Sequence, residues 1–209
     1  MTEFTSAFRD DLQRLMQWRR DVRRFRTDPV DEALLRKCLD TFLLAPSVGL
    51  SEPWRVIRVD SDQARAAALK NYQAANAEAL KGYDGDRAAL YANLKLSGMK
   101  ESPVQLAIYC DDATAKGQGL GAATMPEMRR YSVVGAITQF WLTARSFGLG
   151  VGWVSILNPA QLNHDLDVPS EWSLVAYLCV GWPEEPSDTP ELAKAGWEDR
   201  ETTLPIQSR

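Results

Sequence analysis

The sequence predicts an α+β fold, a sheet flanked by helices, and three observations carry that expectation. Short β-branched or apolar runs alternate with helical segments, but without the strict strand–helix–strand register of a doubly wound sheet. The glycine clusters sit in the wrong places for a dinucleotide fold. Gly148, Gly150 and Gly152 come before or inside a strand, while Gly117, Gly119 and Gly121 lack the following helix and acidic residue. With 209 residues, 45% of them hydrophobic, the chain can bury a sizeable core without disulfides or metals.

Phe8, Leu12, Leu15, Met16 and Val22 recur at helical spacing and predict a first helix over residues 7–23, with Trp18, Arg19 and Arg20 near its end. Pro29 and Asp31 open a second, whose stripe of Leu34, Leu35, Cys38, Leu39, Phe42 and Leu43 runs to Ala45 before Pro46 stops it. The loop 47–53 delivers the chain to an alternating strand over 54–60. Residues 62–81 and 86–100, rich in Ala, Gln, Lys and Leu and punctuated by Gly82 and Gly85, predict two polar helices that form a lid. A second strand covers 104–110 and a mobile glycine-bearing loop 111–126. Residues 131–147 are apolar nearly all round, which places that helix at the centre or at a large subunit interface. A third strand lies within 148–156, and Asn158-Pro159 caps a short helix ending near Asp167. The fourth strand is 172–180, and the proline- and acid-rich tail after Pro183 reads as an extended or partly disordered arm.

Composition narrows the function classes. With 24 Lys+Arg against 28 Asp+Glu the net charge is −4, which argues against a nucleic-acid partner. The single histidine, His164, would have to serve alone in any His-rich metal shell or Ser/His/Asp triad, and it reads as a surface residue, so no metal site is expected. Cys38, Cys110 and Cys179 stand apart in apolar runs, as reduced core thiols of a cytoplasmic protein do. The acidic start lacks the apolar run of a secretory leader, and no stretch is apolar enough for a membrane span.

Two segments stand out chemically. Arg19-Arg-Asp-Val-Arg-Arg-Phe-Arg26 packs five arginines into eight residues. Converging guanidinium forks suit a phosphorylated ligand, and a solvated basic helix end explains the same pattern. Asp21 among them is either a salt-bridge partner or an acid/base group. The loop 45–54 offers a hydroxyl, a glycine and a Pro-Trp pair, either to a flat ligand or as an ordinary turn.

Arg19-Arg-Asp-Val-Arg23, Ala45-Pro-Ser-Val-Gly49 with Pro53-Trp54, and Gly150-Val-Gly-Trp-Val-Ser-Ile156 follow one another in an order that resembles the nitroreductase-like flavoproteins. Asp86-Arg-x3-Tyr91-x2-Leu94-Lys-Leu-x-Gly98 and Pro190-Glu-Leu-Ala-x2-Gly-Trp197 make the chain most similar to one branch, the flavin-destroying 5,6-dimethylbenzimidazole synthases, over roughly residues 14–200. The resemblance implies one nitroreductase-like domain over 1–209, with a central mainly antiparallel sheet, a helical lid over about 62–100 and an extended arm over about 183–209. It implies a homodimer with FMN at the subunit interface. Arg19, Arg20, Asp21, Val22 and Arg23 would hold FMN from the phosphate side, Ser47, Val48 and Gly49 along the isoalloxazine, and Arg87 and Leu96 from the lid. Asp21 and Ser155 match the two catalytic positions. The implied reaction is oxygen-dependent fragmentation of reduced FMN, here a substrate, to 5,6-dimethylbenzimidazole, the lower ligand of cobalamin, and a four-carbon sugar phosphate. A separate flavin reductase using NAD(P)H would supply the reduced FMN. An NAD(P)H-dependent nitroreductase or dehalogenase of the same fold, or a non-catalytic flavin-binding protein, stays open beside it. Glu52 departs from the pattern, which usually has Gln before Pro-Trp, and an ionised Glu cannot donate a hydrogen bond.

Overall fold

The structure, a computed structural model, describes residues 3–209. Among these, four strands form one sheet in the order β1-β2-β4-β3, with β1 Trp54–Arg58, β2 Val104–Asp111, β3 Gly150–Val154 and β4 Trp172–Gly181. Every neighbouring pair is antiparallel. Side chains alternate across β2: Leu106, Ile108 and Cys110 join one buried cluster, Ala107 and Tyr109 the other. Both faces of the sheet are therefore covered, which is why β2 is apolar on both sides from Leu106 to Cys110, with Gln105 a buried polar exception.

The first face packs on α5, Met128–Ser146, through Val133, Ala136, Ile137 and Phe140. It packs also on α2, Glu32–Leu39, whose N-cap Asp31 accepts from the Leu34 amide at 2.9 Å, and on the 3-10 turn that continues it. The opposite face takes Ala68 of α3, Asp62–Leu80, and Leu162 of α6, Pro159–Asp165, which Asn158 caps as expected. The three cysteines are buried and unpaired. No helix among the described residues is long and apolar enough to cross a membrane.

Three expectations need correction. The first helix, α1, spans Ser6–Trp18 and stops before the arginines, with Arg19 turning extended at ψ 114°. The reason is tertiary. The Val22 amide donates to the Val151 carbonyl at 3.0 Å and the Arg26 amide to that of Trp182 at 2.9 Å, so residues 21–26 run along the free edge of β3 and the start of the segment beyond β4. Second, α4 covers only Gly85–Asn93, and residues 94–98 are irregular, because Leu94 leaves helical geometry at ψ 132°. Third, the arm is not extended throughout: it contains a short helix, α7, Glu191–Lys194, and is tied to the arginine segment at Asp188 and Glu191, while residues 198–209 are irregular and exposed.

Candidate functional site

The pairing of residues 21–26 with β3 explains the glycines of that strand. A Cβ on Gly152 would lie 2.1 Å from the Val22 carbonyl oxygen, so only glycine lets the arginine segment lie directly on the strand. This contact sets Asp21. One carboxylate oxygen accepts from the Trp153 amide at 2.7 Å and the other from Arg23 Nε at 2.8 Å. About a third of the side chain remains exposed, so lone pairs are left for a ligand. Ser155 is exposed just beyond the end of β3, where the chain leaves the strand and its carbonyl accepts from the Leu157 amide at 3.0 Å. His164 is 84% exposed, with Nδ1 facing Asp165 at 3.4 Å, as the surface reading expects.

The guanidinium groups do not all point one way. Arg19 lies 4.8 Å from the Trp141 ring, Arg20 Nε donates to the Asp188 carbonyl at 2.6 Å, and Arg23 Nη1 donates to the Lys95 carbonyl at 3.1 Å. Arg19, Arg20, Asp21 and Arg23 nevertheless line one crevice of about 220 Å³ together with Arg200 of the arm. Burial, followed by the like charges of Arg200 and Arg19, lowers the pKa of the Arg20 guanidinium. An anion placed among them relieves that repulsion. A second cleft of about 440 Å³ is lined by Arg20, Asp21, Arg23, Trp141 and Gly150. Sequence reasoning missed Arg200 because a lone arginine among Glu198, Asp199 and Glu201 reads as a solvated surface residue.

The loop 47–53 is built separately. The Val48 amide donates to Ser132 Oγ on α5 at 3.1 Å, and the Glu52 amide to Ser47 Oγ at 3.0 Å. Gly49, Leu50 and Glu52 all adopt positive φ, at 57°, 57° and 44°. Such backbone in two non-glycine residues marks a loop fixed by its surroundings. The Glu52 carboxylate is paired with Lys116 of the glycine loop. Gly49 lines a crevice with residues 117–121, and no arginine lines it, just as none of residues 47–49 lines the two arginine clefts.

Arg87 and Leu96, expected in a lid, lie elsewhere again. Arg87 of α4 stacks on Trp197 with Cζ 4.0 Å from the ring, and Leu96 lines a crevice of about 210 Å³ with Tyr72 and Lys100. α3 is anchored rather than loose. Asn71, 7% exposed, donates to the Asn158 carbonyl at 2.9 Å and accepts from the Asn158 amide at 2.8 Å, tying the helix to the segment that carries Ser155. The structure thus unites Arg19, Arg20, Asp21, Val22 and Arg23 at the edge of the strand that leads to Ser155. Within one chain it leaves Gly49 and Leu96 in other crevices, and Arg87 on the Trp197 ring.

The nitroreductase family model matches residues 16–182. A 5,6-dimethylbenzimidazole synthase of Rhodospirillum rubrum is 53% identical over 94% of this chain and 93% of its own. One of Rhodobacter capsulatus is 46% identical over 94% and 95%. Among solved structures, oxidized iodotyrosine deiodinase bound to FMN and 3-iodo-L-tyrosine superposes with a TM-score of 0.75 at 20% identity, covering 95% of this chain and 100% of that one. A BluB-like flavoprotein of Clostridium difficile gives 0.67 at 18% identity over 86% and 93%.

Proposed function

The chain belongs to the nitroreductase family, and from that premise we propose that it fragments reduced FMN, with molecular oxygen, to 5,6-dimethylbenzimidazole and a four-carbon sugar phosphate, the pyrimidine ring of the isoalloxazine leaving as a separate fragment. The observation that carries this reading is the placement of Asp21: a carboxylate fixed by the Trp153 amide and Arg23, inside an arginine cluster and on the strand edge that leads to Ser155. The names of the relatives with 53% and 46% identity support it.

FMN fits the residues present. Arg19, Arg20, Arg23 and Arg200 outnumber the two carboxylates of the crevice they line, Asp21 and Glu191, and the ribityl phosphate supplies the balancing negative charge. The reduced isoalloxazine supplies the electrons for oxygen. What the chain does is bind, orient and move protons. Arg20 and Arg23 hold the phosphate end, Asp21 accepts a proton from the ribityl chain as its carbon skeleton breaks, and Ser155 donates a hydrogen bond to the ring. No imidazole stands ready to activate Ser155, so a nucleophilic role is not assigned to it. Arg87 and Leu96 close the site from the lid and exclude water. Reduced FMN comes from a separate NAD(P)H-dependent flavin reductase, in the cytoplasm.

Gly49 and the arginine segment line different crevices of one chain, so a single flavin uses both only where a second copy brings its own loop to the arginines. Exposed apolar side chains on α1, on the loops and on α5, including Phe8, Leu12, Leu50, Leu120 and Tyr131, give such a copy a surface to cover. A homodimer burying more than about 2,000 Å² is therefore expected. Sedimentation equilibrium at micromolar concentration checks it, and a monomer overturns it.

The function itself is tested by mixing the protein anaerobically with reduced FMN, admitting oxygen and identifying products by mass spectrometry. Benzimidazole in amounts matching the FMN consumed is expected, with far less from reduced riboflavin, which lacks the phosphate. Quantitative return of oxidised FMN overturns the reading.

A further inference from the structure

The segment Pro190-Glu-Leu-Ala-x2-Gly-Trp197 has no part in the chemistry above, yet the structure gives its tryptophan a specific place. The arm that carries it is tied to the arginine segment twice, through Arg20 Nε on the Asp188 carbonyl at 2.6 Å and through Arg24 Nε and Glu191 at 3.5 Å. α7 then stops at Gly196, φ +72°, where the Gly196 amide donates to Ala193 and the Trp197 amide to Leu192 at 2.9 Å. This is a glycine helix stop that reverses the chain and delivers Trp197 to α4.

There the indole meets Tyr83 and Tyr91 edge-on, with ring centroids 5.4 and 6.0 Å away, while the two tyrosines stack on each other at 4.9 Å. Tyr91, whose hydroxyl donates to Asn76 at 2.8 Å, is the one buried residue of α4, so this cluster is a large part of what anchors the helix. The Arg87 guanidinium lies 4.0 Å from the indole ring centroid. Arg87 has no carboxylate partner among the described residues, so the aromatic face is what orients it.

We propose that Trp197 is a positioning residue that fixes Arg87 and α4 from the C-terminal arm, so that the arginine segment and the lid act as one unit around the flavin. Its consequence for flavin rests on the function proposed above; its consequence for α4 does not. The arm spans from the phosphate end of the site to the lid. A ligand that orders Arg20 therefore also steadies the segment that presents Trp197.

Hydrogen exchange on the ligand-free full chain tests the structural half. Trp197→Ala is expected to speed exchange of the amides of residues 86–93 by about tenfold, leaving β2 and β4 unchanged, and Trp197→Phe to fall between, because a benzene ring keeps a weaker cation–π contact. Titration with oxidised FMN tests the other half. Trp197→Ala and Arg87→Gln are each expected to weaken binding several-fold, and the double variant no more than the worse single one. Unchanged exchange over 86–93, exchange raised equally in β2 and β4, or additive losses in the double variant would each overturn the proposal. If the parent makes no benzimidazole, the proposed reaction fails, while the exchange and titration results still decide the role of Trp197.

Discussion

Asp21→Asn is expected to lower benzimidazole formation by about 100-fold or more, the usual scale for losing a positioned acid/base group, while oxygen consumption continues and returns oxidised FMN and hydrogen peroxide. The change is not a silent isostere. Both groups that meet Asp21, the Trp153 amide and Arg23 Nε, are donors. An Asn side chain can accept from one and must turn its own NH2 toward the other, so the variant also loosens Arg23. A second variant separates the two effects. Arg23→Met loses the same ion pair but keeps the carboxylate, and is expected to weaken FMN binding while benzimidazole remains the main product. Product analysis of both variants under oxygen, after a single anaerobic loading, is the measurement. Parental rates of benzimidazole formation in Asp21→Asn would remove the carboxylate from the chemistry and leave the fragmentation to other groups.

The strands were legible because β-branched and apolar residues cluster in Trp54-Arg-Val-Ile-Arg58 and in β2, although burial along β1 does not follow the side-chain pattern, Trp54 being buried and Val56 exposed. α5 was legible for a similar reason, since its apolar residues outnumber what one stripe requires. The end of α1 was not. Arg19 and Arg20 are good helix formers, and nothing local says that the chain must open there to meet Val151, about 130 residues later in the sequence. Asn71 was illegible for the same kind of reason: in an Ala- and Gln-rich helix one more amide looks solvated, and only the fold shows it clasping both backbone groups of Asn158. Glu52 looked like a defect in the flavin loop, whereas in the fold its carboxylate is paired with Lys116. The arginine segment was recognised by its density, but how its members divide their contacts among Trp141, Asp188 and Lys95 is a property of tertiary structure alone.

The two glycines of β3 should differ sharply in their tolerance of a methyl group. On Gly152 the added Cβ meets the Val22 carbonyl oxygen at 2.1 Å, an obstacle made of backbone that can be relieved only by lifting the arginine segment off the strand. That movement breaks the Val22 amide bond to Val151 and draws Asp21 away from the Trp153 amide. On Gly150 the same methyl meets the side chain of Val22, Cγ2 at 2.8 Å and Cβ and Cγ1 at 3.0 Å, so the crowding falls on a side chain and not on the carbonyl that faces Gly152. Overpacking of this kind costs roughly 1–3 kcal/mol. At roughly 2–4 °C per kcal/mol for a chain of this size, Gly152→Ala should lower Tm by about 5 °C, and Gly150→Ala by clearly less. The functional gap is expected to be larger than the thermal one. Gly152→Ala displaces the carboxylate and the arginines together, so FMN binding should fall by about tenfold or more and benzimidazole formation should be lost even at saturating flavin. Calorimetry and flavin titration on the two variants side by side decide the matter. Equal effects would mean that the arginine segment is not held by close approach to β3, and the position assigned to Asp21 would fall with it.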